Sequence, residues 1–520
     1  MMEVFTSNSA PSNLCIRAGW GLVDNCSYLC QSNLNPRRGS RILCVKSDRS
    51  CESLRFGGLD KCALKNSYLS VSPKSFHGLQ LLQDSNLRFN RANCGAYVVE
   101  GDEDVGEIAR SGEQSDEISI PGLPDTSAGE SGASITSCFW EWRPKLNVHY
   151  EKSGSDNVNA PAVLFLPGFG VGSFHYEKQL KDLGRDFRVW ALDFVGQGLS
   201  LPLEDPTALS EGNAPEGADL AWGFGDATEP WASDLSFSMD LWKDQVQHFV
   251  QEVIGEPVYL VGNSLGGFVS LYFAANHPQL VNGITLLNAT PFWGFLPNPT
   301  RSPKLARMFP WSGTFPLPDT VKKLTEILWE KISHPESIAE ILKQVYADQT
   351  TDVEKVFSRI VEITQHPAAP ASFASIMCSP QGQMSFRESL SGCKTNNIPI
   401  CLVYGKEDPW VKPFWGLKAK RQVPEAPYYE LSPAGHCPHD EVPEVVNYLI
   451  RGWIKNLESQ NVNALPLLEN DRDTQQSFLL KKLEFPRDGA RKSVKVKFFG
   501  PEFSLLKYIR FSISSRLRRN

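Results

Sequence analysis

Ten consecutive residues at positions 258–267 read VYLVGNSLGG and combine an apolar run, a tight turn and the start of a helix. The apolar run is typical of a strand that is buried on both faces of a parallel sheet. The letters after it match G-x-S-x-G, the pattern of a serine held on a sharp turn between a strand and a helix. We therefore predict that Ser264 is a nucleophile, with a plain helix N-cap serine as the alternative.

Similar patterns lie on both sides of this stretch. Residues 139–142 and 146–150 alternate like a β-hairpin, and a further strand is expected at 427–431. The continuous apolar runs are 162–166, 188–193, 284–288 and 400–404, and the helical stretches are about 174–184, 238–254, 265–276 and 441–456. Strands and helices that alternate in this way predict an α/β fold with a mostly parallel, doubly wound sheet.

A nucleophilic serine needs a base and an acid that orients the base, and in folds of this kind they follow in the order Ser, acid, His. Asp408 comes directly after a predicted strand, at the edge where such sheets place their sites. His436 lies in a later loop, before the last helix. We predict a catalytic triad of Ser264, Asp408 and His436, with Glu407 as the alternative acid and His439 as the alternative base.

Two backbone amides are candidates for stabilising an oxyanion. One is the N–H of Leu265, at the start of the helix after the serine. The other is the N–H of Phe169, in the glycine-rich loop PGFGVG at 167–172, which is otherwise a plain turn and does not match a phosphate-binding pattern. Asp193 comes too early in the chain to be the acid of the triad, and we expect it to shape a turn.

Charge and cysteine usage exclude several classes of protein. The formal net charge is -7 and the isoelectric point is about 5.8, which argues against a dedicated nucleic-acid binder. The 12 cysteines show no zinc-ligand spacing. We therefore expect no nucleic-acid partner and no zinc site, and the predicted triad needs no metal or cofactor for its chemistry.

The two ends of the chain differ from the middle. Residues 1–50 contain eight Ser and six Lys/Arg but three acids, which predicts a transit peptide, with an untargeted leader as the alternative. Residues 51–137 are expected to be a region of low order with an acidic linker. Residues 458–520 form a basic C-terminal extension, which is interpreted either as a membrane-surface contact or as a solvated tail.

A long insertion at 291–396 divides the predicted α/β core into residues 138–290 and 397–457. Its first thirty residues contain seven Pro and several aromatic side chains. We expect a helical lid in which Phe292, Trp293 and Phe295 line a pocket for a large apolar substrate. The alternative is that these aromatic rings pack the core of the lid itself.

The chain resembles the α/β-hydrolase family over about residues 138–457. The stretches that carry the resemblance are LPGFGVGSFHYE (166–177), DFVGQGLS (193–200), GNSLGG (262–267), NATPFWGF (288–295) and SPAGHCPHDE (432–441). These long strings resemble a plant branch of the family. That resemblance implies hydrolysis of the phytyl ester of pheophytin, giving pheophorbide and phytol, during chlorophyll breakdown in senescing chloroplasts. One departure is Pro167, which stands where the wider family has a His-Gly pair and leaves the details of the oxyanion loop open.

Other functions remain open from the sequence. One alternative is a carboxylesterase or acyltransferase that acts on another large apolar ester. A third alternative is a non-catalytic ligand receptor on a hydrolase fold, and a fourth is a pigment-complex scaffold, since a fold does not fix a function. Substitution of Ser264 separates the enzymes from the binders, because only an enzyme loses turnover.

Overall fold

The computed structural model describes residues 42–45, 117–124, 131–144, 146–201, 235–314, 318–348, 351–460 and 478–500. All of these belong to one compact unit, residues 40–520. The transit-peptide prediction for 1–50 lies outside the described residues except at 42–45, and so do most of the acidic linker and residues 461–477 and 501–520 of the basic extension.

Twelve strands of the described residues form a single sheet. The strands are β1 (Ile42–Val45), β2 (Glu117–Ser119), β3 (Ile135–Arg143), β4 (Leu146–Ser153), β5 (Ala162–Leu166), β6 (Arg188–Leu192), β7 (Val258–Asn263), β8 (Val281–Leu287), β9 (Ile400–Gly405), β10 (Tyr428–Ser432), β11 (Phe478–Arg487) and β12 (Ala490–Phe499). Their order is β1-β3-β4-β6-β5-β7-β8-β9-β10-β12-β11-β2. The six central strands from β6 to β10 are all parallel, whereas β3, β4 and β12 pair antiparallel. The predicted mostly parallel sheet is confirmed.

Helices cover both faces of the sheet. They are α1 (Glu177–Leu183), α2 (Met239–Phe249), α3 (Leu265–Asn276), α4 (Pro303–Ala306), α5 (Asp319–Ile332), α6 (Pro335–Val345), α7 (Glu354–Thr364), α8 (Ala369–Met377), α9 (Phe386–Thr395), α10 (Pro413–Gln422), α11 (Pro438–Glu441) and α12 (Pro443–Gln460). One apolar core joins α2, α3, α9 and α10 to the sheet, and a second joins α1 and α12 to its other face. Among the described residues, no helix is long and apolar enough to cross a bilayer.

Close backbone contacts hold α3 against the centre of the sheet. A Cβ on Gly266 would lie 2.0 Å from the carbonyl oxygen of Leu166, and a Cβ on Gly262 would lie 2.3 Å from that of Gly266. Real Cβ atoms do not approach backbone oxygens this closely, so glycine is required at both positions. The start of α3 is thereby fixed at the carboxyl edge of β5 and β7.

The structure corrects the prediction for the C-terminal extension. Residues 478–499 are not a solvated tail, because β11 and β12 continue the sheet from β10. The alternative of a membrane-surface contact stays a prediction. Val494, Val496 and Phe498 are buried in the core, whereas the lysines between them point away from it. This period of two is the pattern of a half-buried strand, which the basic composition concealed.

The structure also shortens the predicted insertion. Helices α4 to α8, called the lid helices below, lie between β8 and β9 as expected. The predicted insertion also includes helix α9, but this helix packs against α3, and a Cβ on Gly392 would lie 2.9 Å from that of Ala275. It is therefore a crossover helix of the core, because its apolar face is buried against the sheet layer rather than under the lid helices.

Candidate active site

Ser264 occupies the turn between β7 and α3 in a conformation that side chains rarely adopt. Its φ is 53° and its ψ is -115°. The N–H of Ser264 donates to the carbonyl of Leu287 at 3.0 Å, and its own carbonyl accepts from the N–H of Thr290 at 3.0 Å. Such strain persists only when the surroundings hold it, and here the end of β8 does so. The turn has the geometry that the G-x-S-x-G pattern predicts.

The predicted base and acid form a buried pair. The Nδ1 atom of His436 lies 2.7 Å from Oδ2 of Asp408. The other carboxylate oxygen of Asp408 accepts from the N–H groups of Trp410 and Val411 at 2.7 and 2.9 Å. Burial alone raises the pKa of Asp408, but the His436 charge and these hydrogen bonds outweigh it, so the pKa is lower than usual. Asp408 is therefore a carboxylate that orients the imidazole.

Asn288 completes the surroundings of the acid and was missed by the sequence analysis. Its Nδ2 donates to Oδ2 of Asp408 at 2.7 Å, and its Oδ1 accepts from the N–H of Gly405 at 2.9 Å. Asn288 is fully buried and has a φ of 43°, a region that Asn tolerates better than most residues. Its position directly after β8, at the same edge as Asp408, is the sequence signal that would have found it.

Asn263 ties the turn of the nucleophile to the loop of the base. Its Nδ2 donates to the carbonyl of His436 at 3.0 Å and to that of Leu287 at 3.1 Å. Within the described residues, no hydrogen bond joins the Ser264 hydroxyl to the His436 ring. In unliganded hydrolases this contact is often long and tightens only when substrate binds.

The alternative acid and base lie elsewhere. Glu407 is exposed, and it accepts from the Ser432 hydroxyl at 2.6 Å and from the Ala434 N–H at 2.9 Å, so it braces a turn. His439 is fully buried with its Nε2 atom 3.4 Å from Nδ1 of His175. Burial, together with the neighbouring His175, holds the pKa of His439 well below its usual value. Neither residue contacts the Asp408–His436 pair in the hydrogen bonds of the described chain.

The glycine-rich loop after β5 lies beside the nucleophile. A Cβ on Gly168 would be 3.4 Å from the Cβ of Ser264. In the part of the chain that the structure describes, the N–H groups of Phe169 and Leu265 donate to no other residue. The next amide, that of Gly170, donates to Oε1 of Gln197 at 2.6 Å. The loop is therefore anchored one residue beyond the amide of Phe169.

Asp193 shapes the turns around this loop, as predicted. Its Oδ1 accepts from the N–H of Ser173 at 2.5 Å, and its Oδ2 accepts from the N–H of Leu199 at 2.7 Å. Its Oδ2 also lies 2.9 Å from Nδ1 of the buried His149, a partner that sequence reasoning did not find. The charge of Asp193 outweighs the effect of burial and raises the pKa of His149.

Aromatic side chains cover the site. The ring of Phe169 lies 5.1 Å from that of Trp293 and 5.3 Å from that of Phe373 in α8, measured between centroids. Phe295 packs behind Trp293 at 5.6 Å, whereas Phe292 is 37% exposed. Phe373 was not predicted. Neither was Trp410, whose ring lies 5.4 Å from that of His436.

The fold and this site are those of a hydrolase in which a serine turn joins a parallel strand to a helix. The sequence pattern of the alpha/beta hydrolase family matches residues 163–447, more than half of the chain. The chain belongs to the α/β hydrolase family.

Within that family, the chain is 62% identical over 461 residues to a protein of Arabidopsis thaliana named pheophytinase, chloroplastic. The match covers 88% of this chain and 95% of that protein. A putative carbamate hydrolase of Serratia proteamaculans is 28% identical over 144 residues, which are 28% of this chain and 43% of that protein. Among solved structures, an esterase of Thermogutta terrifontis aligns with a TM-score of 0.39 and 17% identity, over 60% of this chain and 95% of that one.

Proposed function

We propose that this protein is a serine ester hydrolase that cleaves the phytyl ester of pheophytin to pheophorbide and phytol. The reaction type is inferred from the buried Asp408–His436 pair, which lies beside the strained turn of Ser264. The substrate rests on the 62% identity to the Arabidopsis pheophytinase. Catalysis by this arrangement requires no metal or cofactor.

The first chemical step is attack by the serine. The Ser264 hydroxyl oxygen adds to the ester carbonyl carbon while Nε2 of His436 takes the hydroxyl proton. Asp408 accepts the hydrogen bond from Nδ1 of His436, so the lone pair of the neutral ring is on Nε2, where the serine needs it. Asn288 keeps Asp408 oriented through the second hydrogen bond to Oδ2.

Two free amides stabilise the charge that develops on the carbonyl oxygen. The N–H groups of Phe169 and Leu265 are unpaired within the described residues. Phe169 lies in the loop after β5, beside Ser264, and Leu265 is the first residue of α3. Donors fixed in place before reaction need no reorganisation, and one such donor is worth about 10²- to 10³-fold in kcat. They form the proposed oxyanion hole.

The second half of the reaction releases both products. His436 gives its proton to the phytol oxygen as the carbon–oxygen bond of the tetrahedral intermediate breaks, which leaves an acyl-enzyme on Ser264. Water then adds to the acyl carbon and gives a proton to His436, which passes that proton to the Ser264 oxygen as the bond between this oxygen and the acyl carbon breaks. Pheophorbide leaves as the acid and ionises to its carboxylate in solution. The base is regenerated and no electrons are exchanged with the surroundings.

The aromatic cover suits a substrate that is large and apolar. Trp293, Phe295 and the more exposed Phe292 extend from the oxyanion loop, and Phe373 continues the same surface into the lid. Apolar pockets with few polar groups bind such ligands by burial. We assign the protein to the chloroplast, like its Arabidopsis relative, and to the stroma with peripheral contact to the thylakoid membrane or to other chlorophyll-degrading proteins.

The decisive experiment is pigment chromatography after incubation of the full chain with pheophytin or chlorophyll. Ser264→Ala removes the nucleophile, and Ser270→Ala is the matched control, because Ser270 is a buried serine of α3 whose hydroxyl donates to the Gly266 carbonyl. We expect pheophorbide from the wild-type protein and the control but not from Ser264→Ala. Cleavage of a short ester without loss of phytol from either pigment would support the carboxylesterase alternative. Tight pigment binding without turnover would support the receptor alternative.

A further inference from the structure

Glu441, the last residue of α11, has a fully buried carboxylate that joins two segments of the chain. Its Oε1 accepts from the N–H of Gly435 at 2.6 Å. Its Oε2 accepts from the N–H of Ala347 at 2.7 Å and from that of Asp348 at 3.1 Å. One oxygen therefore holds the loop of the catalytic base, and the other holds the chain as it leaves lid helix α6.

The same two segments also touch directly. The N–H of His436 donates to the carbonyl of Val345 at 2.8 Å. A Cβ on Gly435 would lie 2.3 Å from that carbonyl oxygen, so only glycine allows the approach. The backbone of His436 therefore contacts the end of α6, and the Glu441 carboxylate bridges the same two segments. We call residues 345–348 together with 435–436 the lid seam.

Side chains extend the seam beyond these bonds. The Tyr346 hydroxyl donates to Oδ2 of Asp440 at 2.8 Å, and Asp440 forms an ion pair with Lys178 at 2.8 Å. Cys437, the residue after the base, is buried in an apolar cluster with members of α6. The members of that cluster are Ile338, Leu342, Val345, Tyr346 and Cys437. The loop that carries His436 therefore packs against lid helix α6.

We propose that Glu441 is a positioning residue that places His436 for catalysis by joining the lid seam through both of its carboxylate oxygens. It touches neither the substrate nor the reacting atoms. Because it acts on the base rather than on substrate binding, its loss lowers kcat and leaves KM nearly unchanged. The inference rests on the proposed function, since it requires His436 to be the general base.

The charge state of Glu441 gives a readout that packing alone would not move. Burial raises its pKa to about 7, against the opposing effect of its three amide donors. The titratable groups that face it are Tyr346, Asp348, Cys437, Asp440 and, at its backbone carbonyl, Arg487. Burial holds the pKa of Tyr346 and of Cys437 well above the usual values, so both stay neutral near pH 7. A protonated Glu441 is uncharged like glutamine. The difference in kcat between the wild-type protein and Glu441→Gln therefore shrinks as the pH falls below about 7.

The test compares Glu441→Gln with Glu444→Gln in the full chain. Glutamine presents an NH₂ donor to one side of the seam, where the facing backbone N–H groups need an acceptor. Glu444 is a matched buried control, since it pairs with Arg487 and not with the seam. With pheophytin as substrate we expect Glu441→Gln to lower kcat by about tenfold or more with KM within about twofold, because misplacement of a catalytic group costs rate. The ratio of wild-type to Glu441→Gln kcat should fall toward one between pH 8 and pH 6, while Glu444→Gln loses thermal stability and keeps its kcat.

Equal kcat values for Glu441→Gln and wild type overturn the inference, and so does a loss that appears only in KM or does not change with pH. If Glu441→Gln does not fold, as judged by its thermal transition, Tyr346→Phe replaces it. That variant removes one hydroxyl of the seam and should lower kcat by about two- to fivefold with KM unchanged. An unchanged kcat in that variant counts against the inference. A wild-type protein that leaves pheophytin intact overturns the proposed function instead.

Discussion

Replacement of Asp408 by Asn tests the assignment of the acid most sharply, because the structure shows four donors converging on this carboxylate. Two of them, His436 Nδ1 and Asn288 Nδ2, meet Oδ2, and the N–H groups of Trp410 and Val411 meet Oδ1. An Asn side chain offers one acceptor oxygen and one NH₂ donor. Whichever way it is turned, its NH₂ faces two other donors.

The expected loss of stability follows from the number of donors that lose their acceptor. Each buried donor left without an acceptor costs about 1–3 kcal/mol, so Asp408→Asn should lower the free energy of unfolding by about 2–6 kcal/mol. If the NH₂ faces His436, the ring must present Nδ1 as an acceptor and carry its proton on Nε2. That tautomer cannot take the proton of Ser264, and kcat should fall by about 10³- to 10⁴-fold.

The assay is steady-state hydrolysis of pheophytin and of a short-chain ester, with denaturant unfolding of each variant measured in parallel. Glu407→Gln is the control, since Glu407 is the adjacent acid and is exposed. We expect its kcat to stay within about threefold of wild type, as is usual for a residue away from the reacting groups. The reasoning is refuted if Asp408→Asn keeps more than a tenth of the wild-type kcat, or if Glu407→Gln loses as much.

Two further predictions concern stability. Truncation after Gln460 removes β11 and β12 and should abolish cooperative unfolding, because each buried side chain such as Phe485 or Phe498 contributes about 1.5–3 kcal/mol. Truncation after Gly500 is the control. A chain of 460 residues with the wild-type melting temperature would contradict the prediction. The Asp193 charge raises the pKa of His149 in the folded protein, so the stability from this pair is fully present below the unfolded pKa and is lost as the pH rises through the folded value. Urea unfolding of wild type and His149→Gln should therefore show a difference that shrinks with rising pH, and a difference independent of pH would count against it.

Much of the fold was readable from the sequence because it depends on local patterns. The continuous apolar runs of β5 and β7 predict buried strands, and the letters after β7 predict the turn at Ser264. The chain order of Ser264, Asp408 and His436 was also readable, because the carboxyl ends of parallel strands meet at one edge of a sheet. The structure brings Asp408 and His436 into contact as that order predicts.

The tertiary structure alone decided which distant groups meet. Asn288 becomes a partner of Asp408, although 120 residues separate them, only because β8 and β9 are neighbours in the sheet. The hydrogen bonds between Glu441 and residues 347–348 depend on how the lid packs against the core, and no local sequence pattern encodes that packing. Strands β11 and β12 became part of the sheet through pairing with β10, which composition did not indicate. Sequence patterns report the preferences of neighbouring residues, whereas these contacts are set by the packing of segments far apart in the chain.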